Sequence, residues 1–347
     1  MKRRIAASLV LVLAGVRATA APPGISPNDR VGLEEALALV QSVGERVWPG
    51  WDAAPFDLLL VDGDAEYLAH SSQRPDGFSA VKGATLAGAP VLWRPRQFPP
   101  TLLASFPAFS ETPTIVVGTP CSTHTTARRW VLSVAHEHFH QLQSSRPGYF
   151  TGVEALGLSR GDKTGMWMLN YAFPYEDATI VGEFDSLSRE LARLVEGGTR
   201  EARAAFWCRL RALLVRLEPG DRRYLSFQLW QEGISRYVEL KLAEAAAAGH
   251  TSSPAFTALA SDAPYGALAG ELRAKVVASL RDESLRTRQR EIFYPFGAAL
   301  GLLLDTDVAD WKARYFREPF ALEGYAGGTC PAAAGATGSA ERAPTAP

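Results

Sequence analysis

Apolar residues at Leu33, Leu37, Val40, Val43 and Val47, with polar positions between them, give residues 29–48 the period of an amphipathic helix, which Trp48-Pro49 ends. The pattern then changes. "FDLLLVDGD" (56–64) is a short apolar run closed by Asp-Gly and reads as a buried strand and turn. Residues 65–71, 90–94 and 114–119 are further short strand candidates, separated by turn-rich sequence. From Thr126 the helical period returns, with Trp130, Val131, Val134, Ala135, Phe139 and Leu142 as the apolar positions of a helix over 126–143. Helical patterns follow at about 183–197, 200–217, 223–248, 267–287 and 292–304. "IFYPFGAALGLLL" is apolar throughout but shorter than the roughly 20 residues of a bilayer span, so it reads as a core helix. A small sheet region with one helix, followed by a helical region, is an α+β layout.

Composition narrows the class. At 347 residues, with 47% hydrophobic and 21% charged content, the chain can bury a core without relying on disulfides. A net charge of −1 and the lack of a basic run beyond the N-terminus argue against a nucleic-acid partner. The N-terminus reads as an export signal: "MKRR", then the apolar "IAASLVLVLAGV", then Ala18-Thr19-Ala20 as a small-residue cleavage site. Cleavage after Ala20 would leave no integral membrane span and a periplasmic or secreted protein. The expected division is therefore a signal peptide at 1–20, a sheet-containing subdomain at 21–145, a helical subdomain at 146–325 and a disordered Gly/Ala/Pro/Ser-rich tail at 326–347. Cys121, Cys208 and Cys330 allow one disulfide in an oxidising compartment, and their spacing does not choose the pair.

The chemistry concentrates in "SVAHEHFHQLQ", which holds three of the six histidines. His136-Glu137-His138-Phe139-His140 fits H-E-x-x-H. In a helix, residues four apart share a face, so His136 and His140 can meet one metal ion. Glu137, one residue along, sits beside that ion and can take a proton from a water whose pKa the metal lowers toward ~7. His138 should point away from the metal face, either behind the ligands or at the surface. A catalytic zinc needs a third protein ligand. The H-E-x-x-H-x-x-G-x-x-H extension of the metzincins fails, because Gln143 and Arg146 stand where glycine and histidine are required. About twenty residues after His140 the chain offers Ser159 and Arg160 rather than glutamate, and Asp162 lies in a turn-like stretch.

The downstream segment "FQLWQEGISRYVELKLAE" resembles the N-E-G-x-x-x-Y-x-E helix of the gluzincin metallopeptidases, including the M1 aminopeptidase-like group. The resemblance makes Glu232 the third zinc ligand. Gln231 replaces the usual asparagine, while Gly233, Tyr237 and Glu239 keep their places. Gly233 would permit close approach of the motif helix, and Glu239, on the same face, could orient a ligand. Glu176, Asp177 and Glu183 remain rival third ligands. Between the two motifs the resemblance does not extend; "YFTGVEALGLSRGDKTGMWMLNYAFPYED" there suits either a loop over the cleft or aromatic packing. In "YPFGAALGLLLD", Tyr294 resembles the late gluzincin tyrosine that donates to an oxyanion, or else is a core tyrosine at a helix start. His250 and His124 could take the same role.

These readings imply an exported, zincin-like zinc metallopeptidase that acts on a peptide or protein substrate, with Glu137 as general base. Two alternatives stay open: a catalytically inactive zinc-binding interaction module, and a zinc hydrolase of a non-peptide amide or ester.

Overall fold

The sheet explains the unbroken apolar runs Leu58–Val61 and Ile115–Val117. In the computed structural model, which describes residues 24–109, 112–327 and 330, six strands run in the order β3-β4-β2-β1-β6-β5. β1 (Leu58–Asp62) and β6 (Thr114–Gly118) are interior strands and pair in parallel. β2 (Ala65–Ala69), β3 (Ser79–Leu86), β4 (Ala89–Pro95) and β5 (Leu103–Phe106) add antiparallel pairings. Alternate residues of a strand face opposite sides. Leu58 and Leu60 join the main core, while Leu59 and Val61 enter a smaller cluster with Leu68, Leu92 and Val116 on the other face. Both faces are covered, hence the unbroken apolar run. The expected signal peptide and most of the expected tail lie outside the described residues.

Two strands were not anticipated. β3 is an edge strand with mostly exposed side chains and Gly83 at its centre, and β5 is a four-residue edge strand. Neither carries the apolar alternation that marks a half-buried strand, because edges are exposed.

The helices begin with α1 (Pro27–Val47), capped by Ser26, whose side chain accepts from the Asp29 N–H. α2 (Ala127–Ser144) follows the sheet. The helical region comprises α3 (Tyr149–Ala155), α4 (Trp167–Asn170), α5 (Ala178–Glu196), α6 (Arg200–Arg216), α7 (Pro219–Gln228), α8 (Ile234–Gly249), α9 (Pro254–Leu259), α10 (Tyr265–Asp282), α11 (Leu285–Arg288), α12 (Phe293–Asp307) and α13 (Trp311–Tyr315). One hydrophobic cluster runs from Ile25 to Ala326, so the sheet side and the helical side share a core. None of the helices of the described residues is long and apolar enough to cross a membrane. Cys208 and Cys330 form the disulfide, and Cys121 is free and exposed.

α2 is fixed to the sheet at both ends. Trp130 Nε1 donates to the Gly118 carbonyl at 2.8 Å, where β6 ends. One face and three turns on, the buried Gln141 amide donates to the carbonyls of Asp57 (2.7 Å) and Pro113 (2.9 Å), where β1 and β6 begin. α2 therefore lies along the sheet antiparallel to β6, and its other face is turned to α8. Gly118 has no room for a side chain, since a Cβ there would lie 1.7 Å from the Pro100 carbonyl oxygen.

The segment expected as one helix over 223–248 is α7 and α8 joined by a π-helical turn, Leu229–Gly233. Such turns are rare and widen the helix locally. This one faces α12: a Cβ on Gly233 would stand 2.5 Å from Gly297 Cα, and one on Gly301 would strike the Tyr237 ring at 2.6 Å. The close approach allowed by Gly233 is thus to the helix that carries Tyr294. Tyr237 is buried and its hydroxyl is 2.8 and 2.9 Å from the two Asp305 carboxylate oxygens, which locks α8 to α12.

Candidate metal centre

Two helices and one π turn build the site. His136 and His140 lie four apart on the face of α2 that looks toward α8, with ring centroids 4.9 Å apart. Glu232 projects from the π turn between them: its Oε2 is 3.4 Å from His140 Nε2 and 3.9 Å from His136 Nε2. Ligand atoms of His136, His140 and Glu232 all lie within 4.8 Å of one another, so the three could hold a metal ion. Donors about 2.1 Å from one tetrahedral ion stand roughly 3.4 Å apart. The Glu232–His140 spacing meets this, and the site closes around an ion if the His136 side moves inward by a fraction of an ångström to an ångström. Two imidazoles and one carboxylate are also a donor set that zinc accepts.

Hydrogen bonds set the orientation of His140. The Gln143 amide nitrogen donates to the Tyr315 hydroxyl at 2.7 Å and to the Gln231 carbonyl at 3.0 Å, which turns its Oε1 toward His140 Nδ1 at 2.6 Å. With its proton on Nδ1 given to Gln143, His140 keeps the Nε2 lone pair free toward Glu232. The Gln231 amide and Ser235 hydroxyl also lie near Nδ1, at 2.9 and 3.3 Å. Gln231 is held in turn by the Tyr149 hydroxyl at 3.0 Å. His136 is supported differently. Glu239 Oε2 stands 3.4 Å from His136 Nδ1, close enough to act on its charge but not aligned as an acceptor, so Nδ1 is buried without a hydrogen bond. Arg236 pairs with the same Glu239 carboxylate.

The electrostatics follow from this packing. Burial opposes charge on His136, but Glu232 and Glu239 outweigh it and lift the imidazole to about 9. Burial also opposes charge on Glu232, yet His140 and His136 hold its carboxyl well below the usual carboxylate range. The donor set thus favours a positive charge between the carboxylates. Glu137 is buried beside the group, and burial pushes its carboxyl up against the opposing pull of His140 and His136. Among the described residues nothing hydrogen-bonds to it.

Tyr294 sits half-buried at the start of α12, and Arg290 donates a hydrogen bond to its hydroxyl oxygen. Burial, reinforced by the nearby Glu232 charge, pushes its phenol pKa up, so the proton stays on oxygen. The tyrosine is accordingly at the cleft beside Glu232 rather than in the core.

The other expectations fall as follows. His138 is neither beside the ligands nor at the surface. It is 2% exposed on the opposite face of α2, 4.8 Å from the Phe56 ring and stacked near Trp51. Glu176 is exposed and pairs with Arg286, Asp177 caps α5, and Glu183 pairs with Arg216, so none of these rivals joins the two histidines. Asp162 accepts from the Thr164 and Trp167 N–H groups within its own turn. His250 is engaged by Glu35 and Ser42, and His124 is exposed in the turn before α2. Of the two readings of the segment between the motifs, the packing one is seen, and none of its residues lines the cleft beside the group. Tyr149 and Trp167 pack inward against Trp230 and Phe227, while Phe150, Met166 and Leu169 are about half exposed.

Sequence reasoning missed Gln143, Ser235 and Tyr315. Gln143 drew notice only as the residue that breaks a metzincin pattern; its place three residues after His140, on the same helical face, was the available signal. Ser235 lies three residues after Glu232 and carries a similar signal. Tyr315 stacks flat on Trp230 at 4.3 Å and has no local pattern that points to the site. Comparison with family models, curated proteins and solved structures finds no match to the chain.

Proposed function

We propose that the chain is a zinc-dependent peptidase of gluzincin type, exported from the cytoplasm. The observation that carries this reading is the convergence of Glu232 on the two imidazoles, with Glu137 left buried and without a hydrogen bond beside them. His136 and His140 would hold zinc through Nε2, and Glu232 through its carboxylate. Bound zinc would polarise the scissile carbonyl and acidify the attacking water.

The chain's own residues do the rest. Glu137, its pKa raised by burial, takes the water proton as the nucleophile adds and passes it to the leaving amine. Tyr294 keeps its proton and points its hydroxyl into the cleft, where it can donate to the oxyanion that develops on the former carbonyl. Arg290 donates to the phenol oxygen from the other side, which leaves the phenol O–H as the donor. Gln143 holds His140 in the tautomer that leaves Nε2 free. Glu239 balances positive charge at His136.

The test pairs metal analysis with cleavage of a peptide library by wild type and Glu137→Gln. We expect one zinc per chain in both proteins and cleavage by wild type alone. A protein that takes up no zinc, or a Glu137→Gln variant that cleaves as fast as wild type, contradicts the reading.

A further inference from the structure

A cleft of about 480 Å³ between α2, α8, α10 and the start of α12 adjoins the metal group by way of Glu239, which lines it and stands 3.4 Å from His136 Nδ1; His136, His140 and Glu232 themselves do not line it. Ser133, one turn before the ligands on α2, lines it, as do Arg236, one turn after Glu232, and Tyr294. One wall is apolar, formed by Leu132, Leu268, Leu272 and Val276. The remainder carries an excess of positive charge: Arg129, Arg236, Lys275, Arg288 and Arg290 against Glu239, Glu283 and Glu291.

Most of these charges are already paired. Arg236 pairs with Glu239, Arg288 with both Glu283 and Glu291, and Arg129 with Glu271 outside the cleft. Lys275 and Arg290 make no ion pair among the described residues. Arg290 uses one donor on the Tyr294 hydroxyl, and a guanidinium has five in a fork that suits a carboxylate. Glu232 partly balances Arg290 electrostatically, and a metal ion on Glu232 would remove that balance. Lys275 likewise acts on Glu239 without pairing with it. A cleft that holds two cations free of ion pairs together with apolar side chains selects a ligand with one anionic and one apolar portion.

We propose that this cleft receives a carboxylate of the bound peptide, held by Arg290 and Lys275, with its apolar neighbour against Leu268 and Leu272. The identity of the ligand as a peptide rests on the peptidase reading; its negative charge does not. A Glu or Asp side chain and a free C-terminus offer the same chemistry, and the experiment separates them.

Calorimetric titration of Glu137→Gln, with and without zinc, uses one peptide scaffold in four forms. These are Glu scanned through each position with an amidated terminus, Gln with a free terminus, Gln amidated, and Lys amidated. We expect one acidic form to bind about tenfold tighter than the neutral peptide, as suits a charged hydrogen bond in a partly open cleft. The Glu form or the free-terminus form, whichever carries the preference, names the source. Lys275→Gln should shrink the ratio of acidic to neutral affinity, and Lys275→Glu should abolish or invert it. Equal binding of acidic and neutral forms, no binding of any form, or an acidic preference untouched by Lys275→Glu overturns the proposal; the last outcome would put the carboxylate on the metal. Cleavage by wild type is read separately. Acidic preference in binding without cleavage of any peptide would remove the peptidase reading and leave the anion cleft, whereas cleavage without acidic preference would do the reverse.

Discussion

His136 and His138 are two residues apart on one helix, are both buried, and have opposite chemistry. His138 meets the rings of Trp51 and Phe56 and the Ala54 carbonyl, and burial pulls its imidazole down to about 4. His136 meets the carboxylates of Glu232 and Glu239 and rises to about 9 despite its burial. Burial alone makes a neutral core histidine, and burial with carboxylates makes a cation site. One helix presents one of each because side chains at i and i+2 point about 200° apart around its axis. The core face is held by apolar contact and by Gln141, and the cleft face by the π turn that carries Glu232.

The sharpest break in this comparison is chemical. Glu137→Gln leaves the three donors of the cleft face intact, so metal content should stay at one per chain while turnover falls about 10²–10⁴-fold. Paired measurement of zinc and cleavage rate checks it, and loss of zinc in this variant would make Glu137 a structural group. The next break removes the carboxylate that distinguishes the two faces. Glu232→Ala should weaken zinc by about 100-fold or more, beyond what loss of a merely supporting hydrogen bond costs. Glu176→Ala, Asp177→Ala and Glu183→Ala should leave the affinity near wild type, as read by competition with a zinc chelator.

The H-E-x-x-H helix and the Glu232 segment were legible because each depends on local spacing: His136 and His140 share a face through the helical period alone, and Glu232 precedes a glycine within a recognisable helix pattern. The central strands were legible from unbroken apolar runs. What escaped depends on contacts distant in sequence. β3 and β5 are exposed edges without a pattern. The π turn at Leu229–Gly233 has no composition of its own and is read only where Gly233 meets Gly297, 64 positions along the chain. The role of Tyr315 exists only once α13 folds back onto Trp230. For His138 the histidine itself misled, since nothing in its immediate sequence announces Trp51 and Phe56 as its neighbours.

Acid and alkali should separate the two faces in the metal-free protein. His138, depressed from 6.5 to about 4, takes up a proton more readily unfolded than folded. Its contribution is therefore present above pH 6.5 and is lost as pH falls toward 4, by up to ~3 kcal/mol. His136, raised from 6.5 to about 9, has the opposite sign. Its stabilisation is present below pH 6.5 and is lost as pH rises through 9, by a similar ~3 kcal/mol. Urea unfolding across pH should show about one proton less of acid-side dependence in His138→Phe, and about one less of alkaline-side dependence in His136→Phe. Zinc should abolish the alkaline loss, because the ion replaces the proton on His136.

The smallest effect concerns how the cleft face is placed. Gly233→Ala puts a Cβ 2.5 Å from the Gly297 backbone and must push α12 away from the π turn. We expect a loss of about 1–3 kcal/mol in unfolding free energy, together with weaker zinc binding, since the turn that carries Glu232 moves too. Gly182→Ala, an exposed position inside α5 with open space around its Cα, is the control: it should leave zinc binding unchanged and stabilise the fold by up to about 1 kcal/mol, the opposite sign.

The central claim is that His136, His140 and Glu232 hold one metal ion. Anomalous diffraction at the zinc absorption edge from crystals of the zinc-loaded protein tests it most directly. The account predicts a single dominant peak at about 2.0–2.1 Å from Nε2 of both histidines and about 2.0–2.2 Å from a Glu232 carboxylate oxygen. A peak elsewhere in the protein, or one on the two histidines with Glu232 turned away and another residue in its place, would contradict it.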